Sequence, residues 1–120
     1  MKTLSEDKFV VSNYEGTPVS CSKSVWDIHI VPHHGIMANN VNAVKDTIKD
    51  PDSVYQSTDY DNRKVYFKDS SYSTYDQLTK VIVEDSITKT GNPKGEVVTS
   101  FNTPKEKGGI SNVIYKRTSD

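Results

Sequence analysis

A chain of 120 residues can build one hydrophobic core but not two, and with 33% apolar residues that core must be thin. The 15 basic and 16 acidic residues leave a formal net charge of −1, which excludes a whole-molecule field for polyanions, so any nucleic-acid site has to be a local patch. A single cysteine, Cys21, excludes an internal disulfide and a multi-cysteine zinc site within one chain.

The opening MKTLSEDKFVVS lacks the apolar run of a secretory signal, and no segment approaches the roughly 18 apolar residues of a membrane span. A cytoplasmic protein without a membrane partner is expected. Residues 1–24 are polar and Ser/Thr-rich. They read as an irregular lead-in with one edge strand at Phe9-Val10-Val11 and a turn at Gly16-Thr17-Pro18, ahead of a single domain over 25–117.

From Val25 to Val31 the residues at 26, 28 and 30 are apolar and alternate with Asp27 and His29, the period of a half-buried extended segment that Pro32 would stop. From Asn39 or Asn40 the spacing changes. Val41, Val44 and Ile48, with Ala43 and Thr47 beside them, form one stripe of a helix that Asp50-Pro51-Asp52 ends. Either asparagine can cap it, and Lys45 and Lys49 lie toward its negative end.

Short β-prone runs follow. Ser53 to Ser57 and Lys64 to Lys68 flank a hairpin loop carrying Arg63. Leu78 to Glu84 is the strongest strand, expected at the centre, with a Ser/Tyr-rich connection over 69–76 before it. Glu96 to Phe101 follows the turn Gly91-Asn92-Pro93-Lys94-Gly95, and Asn112 to Tyr115 follows the lysine-bearing loop TPKEKGG. The expected fold is therefore α+β, an N-terminal helical segment packed on one antiparallel sheet of four or five strands.

Three stretches in this order carry a resemblance: His29-Ile30-x-x-His33-His34-Gly35-Ile36-Met37, the helix closing in Ile48-x-Asp50-Pro51-Asp52-x-Val54, and Val81-Ile82-Val83 followed by Val97-Val98-Thr99-Ser100-Phe101 and a lysine-rich loop. Together, over about residues 26–115, they resemble the phage-associated branch of the barnase-EndoU-colicin-RelE-like (BECR) nuclease superfamily. Where that branch has arginine and proline around its histidine, this chain has His33 and Gly35, so His34 matches the family histidine. Ser100 stands at the small residue after the strand threonine. The resemblance implies a barnase/RelE-like fold and a small metal-independent endoribonuclease, a toxin or phage-borne effector in a bacterial cytoplasm. RNA, including tRNA, would be its substrate and a cognate inhibitor protein its partner, with no cofactor.

Metal-independent RNA cleavage needs a base for the 2′-hydroxyl proton, an acid for the leaving 5′-oxygen, and donors or cations for the phosphorane charge. Histidine suits the first two near neutrality, and His34 is the candidate. Thr99 and Ser100 are candidates to hold the scissile phosphate and Lys105 to neutralise it, with His33, Arg63 and Lys107 as further substrate-binding groups. Tyr66, Tyr72 and Tyr75 are stacking candidates for unpaired bases.

Each group has an ordinary structural role as competitor. Thr99, Ser100 and the tyrosines suit strands for their β-propensity, Lys105 and Lys107 alternate with Glu106 as in a solvated loop, and His29 reads as a hydrogen-bonded structural histidine. Cys21 has no evident base beside it. His29 and His33 have the spacing to share zinc on a helix, but Pro32 argues against a helix there, so no metal is expected. The rival functional readings are a catalytically inactive BECR-like module that binds RNA or a host protein, motivated by the substituted triplet and the near-neutral charge, and a structural accessory domain of a phage particle.

Overall fold

The computed structural model describes residues 6–35, 37, 40–69 and 77–117. Its strands are β1 (Asp7–Ser12), β2 (Pro18–Ser22), β3 (Ser53–Ser57), β4 (Arg63–Asp69), β5 (Leu78–Ile87), β6 (Pro93–Thr103) and β7 (Ile110–Lys116). They form one seven-stranded sheet in the order β1-β2-β6-β5-β4-β3-β7. Every neighbouring pair is antiparallel except β2–β6, which is parallel.

This corrects the expected class. The sheet is larger than the four or five strands anticipated, it is mixed, and its helices are short, so it is not an N-terminal helical segment on a small antiparallel sheet. Much of the discrepancy comes from the lead-in. Asn13 Oδ1 accepts from the amides of Glu15 and Thr17 at 2.8 and 2.9 Å, and Gly16 takes a φ of 85°, which turns β1 back on β2 as a hairpin. The hairpin then joins the main sheet through Val19 and Ser20, paired with Gly95 and Glu96. The junction is crowded from both sides, since a Cβ at Gly95 would stand 2.7 Å from Val83 Cγ1 of β5 and 3.2 Å from Val19 Cγ2 of β2.

Residues 25–30 are also corrected. Instead of an extended segment they form a π-helix, Val25–Ile30, which runs into one α-helical turn, α1 (Val31–His33). Pro32 sits at the start of α1, where the run changes from π to α spacing, and its ring fixes φ near the helical value. Trp26 and Ile30 are buried while Ile28 is 71% exposed, so four-residue spacing, not alternation, selects the buried side.

The helix α2 (Val41–Lys49) forms where its stripe predicts, with Ala43, Val44, Thr47 and Ile48 buried. Thr47 Oγ1 donates to the Ala43 carbonyl at 2.7 Å, which satisfies the one polar group on that stripe. The Asp50-Pro51-Asp52 turn is clasped from the other end of the chain. Arg117 meets Asp50 Oδ1 at 2.8 Å and Asp52 Oδ1 at 3.2 Å, holding the Asp50 carboxyl below the usual carboxylate range.

Helices and hairpin cover one sheet face. Ile30, Met37, Val44 and Ile48 pack there with Val54, Tyr66, Val81, Val83 and Val97. Yet Val65, Tyr66 and Phe67 are all buried, and consecutive strand residues point to opposite faces. The second face is therefore covered too. Its cover is the connection at 104–109, a strap that carries the chain from β6 over β5, β4 and β3 to β7 on the far side. Among the described residues no helix is long and apolar enough to cross a membrane.

Candidate functional site

His34 follows the turn of α1, with its amide donating to the Ile30 carbonyl at 2.7 Å and its carbonyl accepting from Met37 at 2.9 Å. These bonds fix its backbone at φ −137°, outside the helix, and set the half-buried ring against Phe101 of β6, centroids 4.8 Å apart and 26° from parallel. The histidine triplet and the Thr99-Ser100-Phe101 strand, far apart in sequence, thus meet in space. Burial pushes the imidazole below the ordinary histidine value, and neighbouring His33 and His29 push in the same direction.

His29 and His33 lie on the exposed side, rings 5.2 Å apart. His33 Nδ1 stands 2.8 Å from the His29 carbonyl oxygen, which can only accept, so in neutral His33 the proton sits on Nδ1 and Nε2 is the open nitrogen. Among the described residues no group of three or more histidine, cysteine or acidic side chains is placed to hold a metal ion. Cys21 is buried and its thiol is pushed up to about 12, chiefly by that burial, which suits a packing residue.

Beyond Phe101 lies a residue that sequence reasoning did not single out. Lys80 pairs with Phe101 across β5–β6 and with Phe67 across β4–β5, and its Nζ stands 5.1 and 5.7 Å from those two ring centroids. Only 5% exposed, it has no carboxylate partner among the described residues. Its Nζ donates instead to the carbonyls of Lys107 and Gly108 in the strap, both at 2.9 Å, and burial lowers its pKa. The available signal was period two, which puts Lys80 on the face opposite Val81 and Val83 in a central strand. Gly108 takes a φ of 87°, and a Cβ there would stand 2.8 Å from Nζ, so this lid over the ammonium requires glycine.

Glu106 holds the middle of the strap. Its carboxylate accepts from Ser53 Oγ at 2.7 Å and Tyr55 Oη at 2.5 Å, and that second bond raises the Tyr55 pKa. Tyr55 in turn meets Phe67 edge to face at 5.8 Å. One continuous set of contacts therefore runs from His34 through Phe101, Lys80 and Phe67 to Tyr55 and Glu106.

The other expected site residues divide. Thr99 shares a strand face with Phe101, and its Oγ1 is buried without a hydrogen-bond partner among the described residues. Ser100 points the opposite way and donates to the Lys80 carbonyl at 2.8 Å, a buried structural bond. Lys105 and Lys107 are exposed on the strap, the backbone carbonyl of Lys105 accepting from Thr103 and that of Lys107 from Lys80.

Arg63 is not brought in. It pairs with Glu84 at 3.0 Å, and its guanidinium carbon stands 3.8 Å from the Tyr60 ring centroid. Glu84 is four residues beyond Lys80 on β5, about 13 Å along the strand. Tyr66 belongs to the core, and Tyr72 and Tyr75 lie outside the described residues. Comparison with protein-family models, curated proteins and solved structures found no match.

Proposed function

We propose that this chain is a small endoribonuclease that cleaves RNA by metal-independent transesterification, with His34 taking the 2′-hydroxyl proton as the 2′-oxygen attacks phosphorus and solvent protonating the 5′-oxygen as its bond to phosphorus breaks. The observation that supports this reading most is the stack of His34 on Phe101, which joins the two stretches of sequence carrying the BECR resemblance. A histidine whose neutral form is favoured by burial is a competent base at neutral pH. Lys105 and Lys107 on the adjoining strap supply exposed positive charge for a phosphate, and His33 offers its open Nε2 on the same helical turn as an acceptor for a substrate N–H or O–H. Ser100 and Arg63 drop out of the site, since both have structural partners. A toxin or phage-borne effector acting on RNA in a bacterial cytoplasm, opposed by a cognate inhibitor, is the setting this activity fits.

The commitments of Ser100, Arg63 and the Lys80 ammonium also favour a second reading, an inactive module that binds RNA or a host protein through the same surface. Incubating purified protein with total RNA and with tRNA in EDTA, beside His34→Ala, separates the two. The enzyme leaves 2′,3′-cyclic phosphate ends, lost in the variant. RNA left intact by folded wild type removes the enzyme reading and leaves the module.

A further inference from the structure

The face of the sheet opposite Lys80 carries a cleft that the proposed activity does not use. It has a volume of about 290 Å³ and lies where the β1–β2 turn closes over the ends of β4, β5 and β6. Its aromatic wall is Tyr14 and Tyr66, which meet edge to face at 6.0 Å and 72°, with Tyr115 against Tyr14 at 4.5 Å and a tilt of 34°. Tyr66 is 2% exposed, and its hydroxyl oxygen accepts from Asn13 Nδ2 at 3.1 Å. Among the described residues no acceptor takes the Tyr66 hydroxyl proton. Beside it Asp85 meets Lys64 through Oδ2 at 3.1 Å, which leaves Oδ1 without a hydrogen-bond donor among the described residues.

The charges that line the cleft cancel. Lys64 and Lys94 stand against Glu15 and Asp85, so neither an anion nor a cation is favoured as ligand. What the cleft offers is an aromatic wall, a buried O–H donor and a carboxylate acceptor side by side. At the lower end of ligand-pocket volumes, it has room for one nucleoside-sized molecule.

We infer that this cleft binds an uncharged planar heterocycle of the nucleobase type, which rests against Tyr14, accepts a hydrogen bond from Tyr66 Oη and donates one to Asp85. Burial pushes the Tyr14 phenol up to about 12 and the Tyr66 phenol higher still, so both stay protonated and Tyr66 remains a donor across the physiological range. The heterocycle can arrive as a free nucleoside or as an unpaired base of RNA. Only the second source rests on the ribonuclease reading.

The test is an amide NMR titration of the full chain with each of the four common ribonucleosides, and separately with a short 2′-O-methylated, uncleavable oligonucleotide. Saturable shifts at residues 13–17, 85–87 and 93–94 are expected for at least one nucleoside or for the oligonucleotide. Tyr66→Phe keeps the ring, removes one donor together with the acceptor of Asn13 Nδ2, and should weaken that binding by about 2- to 10-fold. Shifts with nucleosides assign the cleft to a free ligand as well, and shifts with the oligonucleotide alone assign it to a base held in a strand. The inference is overturned if neither ligand shifts these residues at millimolar concentration, or if Tyr66→Phe and Tyr14→Leu both bind as wild type does. RNA cleavage by the same Tyr66→Phe protein is measured in parallel, so loss of this site and loss of the ribonuclease reading are told apart.

Discussion

The two faces of β4 and β5 are covered by different physics. On one, a helix and a hairpin bury Ile30, Val44, Ile48 and Tyr66 in apolar contact, each large side chain contributing about 1.5–3 kcal/mol by leaving water. On the other, a strap without regular structure is held by a few polar bonds, Glu106 to Ser53 and Tyr55 and two strap carbonyls to Lys80. Apolar packing is strong and indifferent to pH. The polar strap is weaker and sensitive to charge, and the proposed chemistry borders it.

Breaking the apolar face should have the largest effect. Ile48→Ala leaves a cavity under α2 and should cost about 2–5 kcal/mol, read as a lower urea midpoint at unchanged slope. Glu106→Ala removes two charge-assisted bonds and leaves the buried Ser53 hydroxyl without its acceptor. It should cost about 1.5–3 kcal/mol, with faster amide exchange confined to the strap and its contacts. An equal rise in exchange across α2 would show that the two faces are not separable.

Lys80 sharpens the comparison through pH. Its folded-state pKa is lowered by burial, so between that value and the unfolded value near 10.5 the unfolded chain holds the extra proton and wild-type stability rises with pH. Lys80→Met lacks this gain. Its stability relative to wild type should therefore decline as pH is raised toward 10.5. Parallel stability curves would place the ammonium in water rather than between two rings.

The smallest effect belongs to Arg63. Its pair with Glu84 lies at the surface, so Arg63→Ala should cost no more than about 1 kcal/mol and leave any RNA cleavage unchanged.

Local periodicity revealed α2 and the strands from β3 onward, since stripe and alternation are properties of consecutive residues. It misread 25–30 because Trp26, Ile28 and Ile30 satisfy both periods, and only the exposure of Ile28 decides between them. In the lead-in the edge strand at Phe9–Val11 and the turn at Gly16 were legible, but β2, with two serines and a proline among its five residues, and its pairing with β1 were hidden. Parallel β2–β6 pairing and the crossing of the sheet by 104–109 are long-range facts that no local pattern contains. The candidate site was legible to the same extent. His34 and the Thr99 strand meet at Phe101, while Lys80 and Glu106 gain their roles only from the crossover. Ser100 and Arg63 were lost to partners on neighbouring strands.

In the proposed ribonuclease, chemistry lies where His34 meets Phe101 and not in the cleft on the other face. The most direct test of this placement follows RNA cleavage in EDTA from about pH 5 to 8 for wild type, His34→Ala and Tyr66→Phe. Wild-type kcat/KM should rise to a plateau through a pKa below the ordinary histidine value, the neutral imidazole being the active form. His34→Ala should be inactive and Tyr66→Phe should retain wild-type kcat. Cleavage by His34→Ala at the wild-type rate, with the same pH profile, would contradict this placement.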